Sequence, residues 1–340
     1  MEFASNSGVR SDTIGRLALA SSAFLAPMSG VTDLAMRRIA ARYGAGLVVS
    51  EMVASDELVR GSEEARLRAE GAGVAPHVVQ LAGCDARWLG DGARVAEASG
   101  ADVVDINMGC PAKRVVGGWA GSALMRDLEH ATGLIEAVVA AVAVPVTVKM
   151  RLGWDDASRN APELARRAVA SGAAAITVHG RTRQQFYKGT ADWAAIRAVR
   201  AAGTFPLVAN GDIATVAQAK ACLDQSAADH VMIGRAAMGR PWLVGEIGAA
   251  LAGREPRALP LSAKHALAVE HYEILLSLMG RETGTRHARK HLAAYADEAL
   301  RCGLEPDAEA RRTLLTTDEP TQAIAALARL FSTDQVGVAA

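Results

Sequence analysis

The sequence predicts an α/β fold, a (β/α)8 TIM barrel with a C-terminal helical domain, and three observations carry that expectation. Short β-rich runs recur at intervals of roughly 20 to 40 residues, the spacing of a strand, a helix and a return loop. Eight can be counted, at residues 24–27, 47–51, 77–81, 103–107, 145–150, 175–179, 207–210 and 230–233. Helix-like stretches at 34–43, 87–98, 130–142, 162–171, 193–202 and 216–223 lie between them, and a strand-helix unit repeated eight times closes into a parallel barrel. The third observation is that this alternation stops after Ile247.

The strands justify themselves by composition. Hydrophobic residues make up 50% of the chain but aromatics only 4%, so the apolar mass is Ala, Val, Leu and Ile. That suits parallel strands buried on both faces and covered by Ala-rich helices. The first strand opens into Pro27-Met28-Ser29-Gly30-Val31, not the G-x-G-x-x-G turn a doubly wound dinucleotide sheet requires. Past the eighth strand, Gly253-Arg254-Glu255-Pro256-Arg257-Ala258-Leu259-Pro260 has linker composition. Amphipathic helices are then expected at 262–279, 285–300, 308–314 and 322–331. The expected division is an N-terminal extension over 1–20, a barrel over 21–252 and a helical domain over 261–335.

Charge and cysteine usage bound the function. Lys and Arg number 37 and Asp and Glu 37, so no global positive field advertises a nucleic acid and any such contact must come from local clusters. Cys84, Cys110, Cys222 and Cys302 form no C-x-x-C pair, which argues against a disulfide framework or zinc, and no metal is expected. The apolar run from Leu17 to Met28 is interrupted by Ser21 and Ser22, and no run reaches the ~20 residues of a membrane helix. A cytoplasmic monomer with no membrane partner is the expectation.

Barrel enzymes work at the C-terminal ends of their strands. Here those ends read Met28 and Ser29, Glu51, Gln80, Asn107, Lys149 and Arg151, His179 and Arg181, Asn210-Gly211-Asp212, and Gly234-Arg235. A single polar strand end can merely solvate the mouth; eight agreeing ends make a site. The loops after strands seven and eight are the usual phosphate site of this fold, and glycines with an arginine suit an anion there. Lys149 closes a strand with apolar neighbours and needs an anionic partner, which the edge of a reduced flavin ring would supply. Gln80 offers donors and an acceptor to the other edge of such a ring, and His179 could donate to ring or phosphate. Cys110 sits in Asp105-Ile106-Asn107-Met108-Gly109-Cys110-Pro111, a loop stiffened by Gly and Pro. An ordinary thiol is mostly protonated at neutral pH and suits a general acid, and Cys110 is preferred to its rival Cys84 because its loop adjoins the Asn107 strand end.

Together these segments resemble the bacterial tRNA-dihydrouridine synthases. The resemblance rests on Ala26-Pro27-Met28-Ser29-Gly30-Val31-Thr32-Asp33, Asp105 to Lys113, Val146 to Trp154, Thr177-Val178-His179-Gly180-Arg181-Thr182-Arg183, Ala209 to Ile213, and Met232 to Ala236. It implies that Pro27, Met28, Ser29, Gln80, Lys149, His179, Asn210, Gly211, Asp212, Gly234 and Arg235 bind FMN. It further implies that Cys110 protonates a uracil ring with Asn107 and Arg151 near the base, and that NADPH (or NADH) reloads the flavin. Ser29 stands where Ala is common, Cys84 where Ser is common, and Trp119 interrupts a usual Gly-Gly-Ala-Gly run. A small-molecule pyrimidine or ene reductase, or a non-catalytic RNA-binding barrel, remain the alternatives.

The tRNA partner implied by the resemblance needs a positive surface. Arg281, Arg286, His287, Arg289, Lys290 and His291 crowd one stretch of the helical domain. Arg286 and Lys290, one turn apart, are expected to meet RNA phosphates, with Lys113, Arg114, Arg181 and Arg183 continuing the path at the barrel mouth. A barrel cut near Gly253 is expected to keep its cofactor while losing RNA affinity.

Overall fold

The computed structural model describes residues 12–332. Eight parallel strands, Ala23–Leu25, Leu47–Ala54, His77–Ala82, Val103–Met108, Val146–Arg151, Ala175–His179, Leu207–Asn210 and His230–Ile233, form a closed barrel in sequence order. The eighth pairs with the first through Val231 and Ala23. Helices Leu34–Arg42, Ala86–Ala98, Leu128–Ala141, Ala161–Ala170, Trp193–Arg200 and Val216–Ser226 fill the crossovers. Most start on a side-chain cap: Asp33, Asp85, Asp127, Asp192 and Thr215 accept from an amide three residues on. Each such cap is worth about 1 kcal/mol. The short helices Ser55–Val59, Glu63–Ala69 and Lys113–Gly117 escaped the periodicity argument because one or two turns show no period.

Two apolar layers hold the barrel. Residues such as Leu25, Val48, Leu81, Ile106, Val148, Ile176 and Val231 face the helices. Phe24, Leu47, Val78, Val103, Ala175, Val208 and Met232 fill the interior. Ile14 joins that interior cluster from a small antiparallel hairpin, Thr13–Ile14 with Leu17–Ala18, so residues expected to be an extension instead close the barrel floor. Residues 1–11 of that extension, and 333–335 of the helical domain, lie outside the described residues.

The C-terminal helices run over 261–279 and 281–301, broken at Gly280 (φ 74°), then Ala308–Thr316 and Pro320–Leu330. Their core of Leu267, Tyr272, Leu292, Tyr295, Leu314 and Leu327 takes in Ala35 and Ile39 from the first barrel helix and Trp242. No helix among the described residues is long and apolar enough to cross a membrane.

Candidate active site

Side chains alternate along a strand, so the interior layer that is apolar at the floor continues upward at every second residue. Val103 is followed by Asp105 and Asn107, Thr147 by Lys149 and Arg151, Thr177 by His179, Val78 by Gln80, and Val208 by Asn210. These polar residues form the bottom of a cavity of about 940 Å³ at the C-terminal mouth. Met28, Gln80, Asn107, Cys110, Lys149, Arg151, His179, Asn210, Gly211, Asp212, Gly234 and Arg235 all line it, and so do Pro27 and Ser29.

A hydrogen-bonded chain ties the barrel interior to the Cys110 loop. Thr147 Oγ1 donates to Asp105 (2.5 Å), Gln80 Nε2 donates to Asp105 (2.7 Å), and Asn107 Nδ2 donates to Gln80 Oε1 (2.7 Å). The Cys110 amide then donates to Asn107 Oδ1 at 2.9 Å. Burial pushes the Asp105 carboxyl up to about 6, against the hydrogen bonds from Thr147 and Gln80. Arg151 braces the same loop from below: its Nε donates to Gly109 O (2.7 Å) and its Nη1 to Thr182 O and Phe186 O. Asn107 and Arg151 were expected beside the substrate; both line the cavity, but most of their hydrogen-bonding capacity positions the thiol loop. Cys84 lies in a separate cavity with Trp88 and Arg114, which leaves Cys110 as the thiol in this one. Buried Cys222 has its thiol pushed up to about 12 by burial.

The opposite side of the cavity is strongly positive. Lys149 Nζ donates to Asn210 Oδ1 at 3.0 Å, and burial, with repulsion from Arg151, pushes its ammonium down to about 8. His179 is held well below the usual histidine range by burial and then by Lys149, Arg151, Arg181 and Arg235. Arg181 Nη1 lies 3.3 Å from His179 Nε2, and as a donor it assigns the imidazole proton to Nδ1. Such a set demands an anion. Gly211 (φ 124°) is required here, because a Cβ would come within 2.7 Å of Ala191 and 2.9 Å of the His179 ring.

Three expectations need correction. Arg181 is buried, with its guanidinium bidentate on Asp212 (3.0 and 2.5 Å) and also on the Lys188 and Gly189 carbonyls, so it lies on no open RNA path. The Asp212 carboxylate cannot itself hold a phosphate; it anchors Arg181 and sits 3.4 Å from Arg235, positioning the cations, which leaves the backbone amide of the Gly211 turn as the part that can face an anion. The basic cluster of the helical domain is largely neutralised, with Arg281 on Glu319, Arg286 on Glu282, and Arg289 on Asp318. Lys290 is turned inward, half-buried, its ammonium pushed down by burial while Glu51 and Asp33 pull it up.

Sequence reasoning missed what His287 and His291 do. With His271 they surround buried Asp33, at 3.2, 2.9 and 3.5 Å, joining the first barrel loop to the helical domain. Tyr295 Oη meets His271 Nδ1 at 3.1 Å. Burial would raise the Asp33 carboxyl, but the three imidazoles hold it well below the usual range. Burial, with repulsion from His271, pushes His291 down to about 4. The i, i+4 histidine pair was the available signal, masked by its basic neighbours.

A pH dependence follows. The folded chain excludes a proton that the unfolded chain binds on His291 below about pH 6.5, so that contribution to stability falls as pH drops from about 6.5 toward 4. The Asp33 contribution is present above the ordinary carboxylate pKa and is lost only as pH falls through its lower folded value. His291→Gln should therefore flatten the fall in melting temperature between pH 7 and 5 by roughly 2 kcal/mol, a few degrees, in differential scanning fluorimetry.

A closed parallel barrel with a positively charged bowl at its mouth, faced by one thiol on a braced loop, defines a flavin-dependent oxidoreductase. Solved structures agree at the level of fold. A 2-naphthoyl-CoA reductase matches with a TM-score of 0.56 at 13% identity, over 71% of this chain and 51% of that one. Morphinone reductase matches with a TM-score of 0.51 at 16% identity, over 74% and 91%. The family model described as dihydrouridine synthase (Dus) matches residues 24–334, and the chain belongs to that family. A probable tRNA-dihydrouridine synthase of Rhizobium leguminosarum bv. phaseoli is 56% identical over 80% of this chain and 84% of its own length. A probable tRNA-dihydrouridine synthase of Rhodobacter capsulatus is 51% identical over 91% and 94%. A tRNA-dihydrouridine synthase B of Xanthomonas axonopodis pv. citri is 47% identical over 84% and 86%.

Proposed function

We propose that the chain reduces the C5=C6 bond of uridine in tRNA to 5,6-dihydrouridine, with FMN as the flavin and NADPH (or NADH) as reductant. The observation that carries this reading is the Cys110 thiol on a loop fixed by Asn107 and Arg151, facing a bowl of cations across one cavity. The names of the full-length relatives support the tRNA substrate. The residues fit FMN: Lys149 and Asn210 suit an anionic ring edge, while Arg235, His179 and the glycine turns at Gly211 and Gly234 suit a phosphate. When bound, reduced FMN supplies a hydride for C6. Cys110 supplies the proton for C5. Gln80 retains one free amide N–H for the ring, its other groups being spent on Asp105 and Asn107.

The test is direct. The FMN-loaded protein, given NADPH and unmodified tRNA, should produce dihydrouridine detectable by mass spectrometry of the digested RNA. Reduction of free uracil or uridine at a comparable kcat/KM, with none in tRNA, would instead assign a small-molecule reductase. Arg235→Ala should weaken FMN retention by ~1.5–3 kcal/mol, so the protein purifies paler and its flavin absorbance per mole of chain falls. In the helical domain Arg286, with 67% of its side chain exposed, is the remaining candidate for a phosphate, whereas Lys290 faces Glu51 and the Gly30 turn. Arg286→Ala should lower the salt dependence of tRNA affinity by about one phosphate equivalent, measured by filter binding across a salt series.

A further inference from the structure

Trp119 is the departure from the family run that the site so far leaves without a role. It is 61% exposed, the most exposed of the large apolar side chains among the described residues. Its φ of 59° is a left-handed conformation that a bulky residue rarely holds. The segment that follows is fastened to the catalytic loop: the Ser122 amide and hydroxyl both donate to the Cys110 carbonyl, at 3.0 and 2.8 Å. At Gly121 a Cβ would stand 2.8 Å from that carbonyl and 3.2 Å from the Cys110 Cβ. The indole thus sits two residues before a segment bonded to the thiol's loop, and it is not among the residues lining the cavity.

It does not stand alone. The Arg126 guanidinium lies 5.4 Å from the Trp119 ring centre and 5.0 Å from that of Trp154, and the Arg183 guanidinium lies 4.8 Å from Trp154. Two indoles and two guanidiniums alternate in a ladder. Among the described residues neither guanidinium has a carboxylate within ion-pair distance, in a chain where most other arginines named above are paired. Exposed Lys113 and Arg114 lie on the helix just before Trp119. Trp119 and Arg126 are exposed, and Trp154 and Arg183 are half-buried. An exposed aromatic face beside unneutralised cations is what single-stranded nucleic acid selects, a base stacking on the ring and phosphates meeting the cations.

We infer that this ladder is a substrate-binding platform on which a nucleotide flanking the target uridine stacks against Trp119, its phosphate on Arg126, so that the flanking strand is held open while the uridine enters the cavity. The inference rests on the RNA reading above and names the part of the substrate that the rim recognises. Uridine cannot reach the cavity while stacked in an RNA fold, and a platform for its neighbour replaces part of the stacking lost.

The experiment compares wild type, Trp119→Ala, Trp119→Phe and Arg126→Ala as FMN-loaded full-length proteins, with steady-state tRNA kinetics and filter binding. Trp119→Ala should raise KM for tRNA on the order of 10-fold or more with kcat within about twofold, Trp119→Phe should retain most affinity, and the salt slope of both should match wild type. Arg126→Ala should lower the salt slope by about one phosphate equivalent. Flavin content and NADPH oxidation by oxygen should not change in any variant. Trp119→Gly, which suits the left-handed backbone, serves if the alanine variant misfolds. Wild-type KM and affinity in Trp119→Ala or Trp119→Gly overturn the platform, as does equal loss in Trp119→Phe. Should wild type fail to reduce tRNA at all, the substrate reading falls; quenching of indole fluorescence by a single-stranded oligoribonucleotide, abolished in Trp119→Phe, would still uphold the platform, and its absence would remove it.

Discussion

Replacing Cys110 with alanine will leave a yellow protein that NADPH reduces at the wild-type rate and that oxidises on tRNA at least 100-fold more slowly. Lys149 holds to Asn210 and Arg181 to Asp212 through bonds that do not involve the thiol, so cofactor binding and reduction should stay intact. The alanine side chain keeps the loop, because the Cys110 amide and carbonyl, not its sulfur, make the bonds to Asn107 and Ser122. What disappears is the proton for C5, and a positioned general acid is worth roughly 10²–10⁴-fold. Anaerobic stopped-flow measurement of flavin oxidation by tRNA separates the two half-reactions. Wild-type oxidation in the variant would place the acid elsewhere, and Cys84, in its separate cavity, offers no ready substitute.

Lys149→Met is expected to act in opposite directions on fold and cofactor. The buried Lys149 ammonium hydrogen-bonds the neutral Asn210 amide oxygen, and burial, with repulsion from Arg151 outweighing the attraction of Asp105, has already pushed it down to about 8. An apolar side chain of similar length removes that desolvation cost, so the apo melting temperature should hold or rise. Flavin affinity should fall by ~1.5–3 kcal/mol or more, the worth of a hydrogen bond from a charged donor. Wild-type affinity itself should weaken as pH rises above about 8, where Lys149 loses its proton, and the variant should lack that dependence. Flavin fluorescence titrations from pH 6 to 9, paired with apo melting curves, read both effects. A variant that binds FMN as tightly as wild type at pH 7 would remove Lys149 from the ring edge.

Much of this site was legible because a barrel strand imposes a period of two. Once Lys149 closes a strand, Thr147 and Arg151 share its side, and the same count brings Asp105 into line with Asn107. The strand ends could be read, and the cavity brings them together. Partnership could not be read. Arg181 looks like a mouth cation in sequence, yet its carboxylate lies 31 residues away in the loop after the next strand, where no local pattern reveals it. The same holds for most of the basic stretch from Arg281 to His291: Arg286 pairs with Glu282 one turn away, but Asp33, Asp318 and Glu319 come from elements distant in sequence. Asp105 was passed over for another reason: it reads as one polar residue in a buried strand, and only its contacts with Gln80 and Thr147 show that it anchors the line leading to the thiol.

The histidine-ringed Asp33 changes what the C-terminal helices are. Asp33 is also the cap of the first barrel helix, its Oδ1 accepting from the Met36 amide, and that helix gives Ala35 and Ile39 to the helical core. A barrel ending near Gly253, anticipated from the linker as a self-sufficient cofactor-binding piece, would bare those residues and strip a buried carboxylate of all three imidazoles. The linker is a boundary in composition and not in cohesion. The shared core and the buried Asp33 cluster predict that barrel and helices melt as one unit, so a cut near Gly253 should cost the barrel its stability along with the helices.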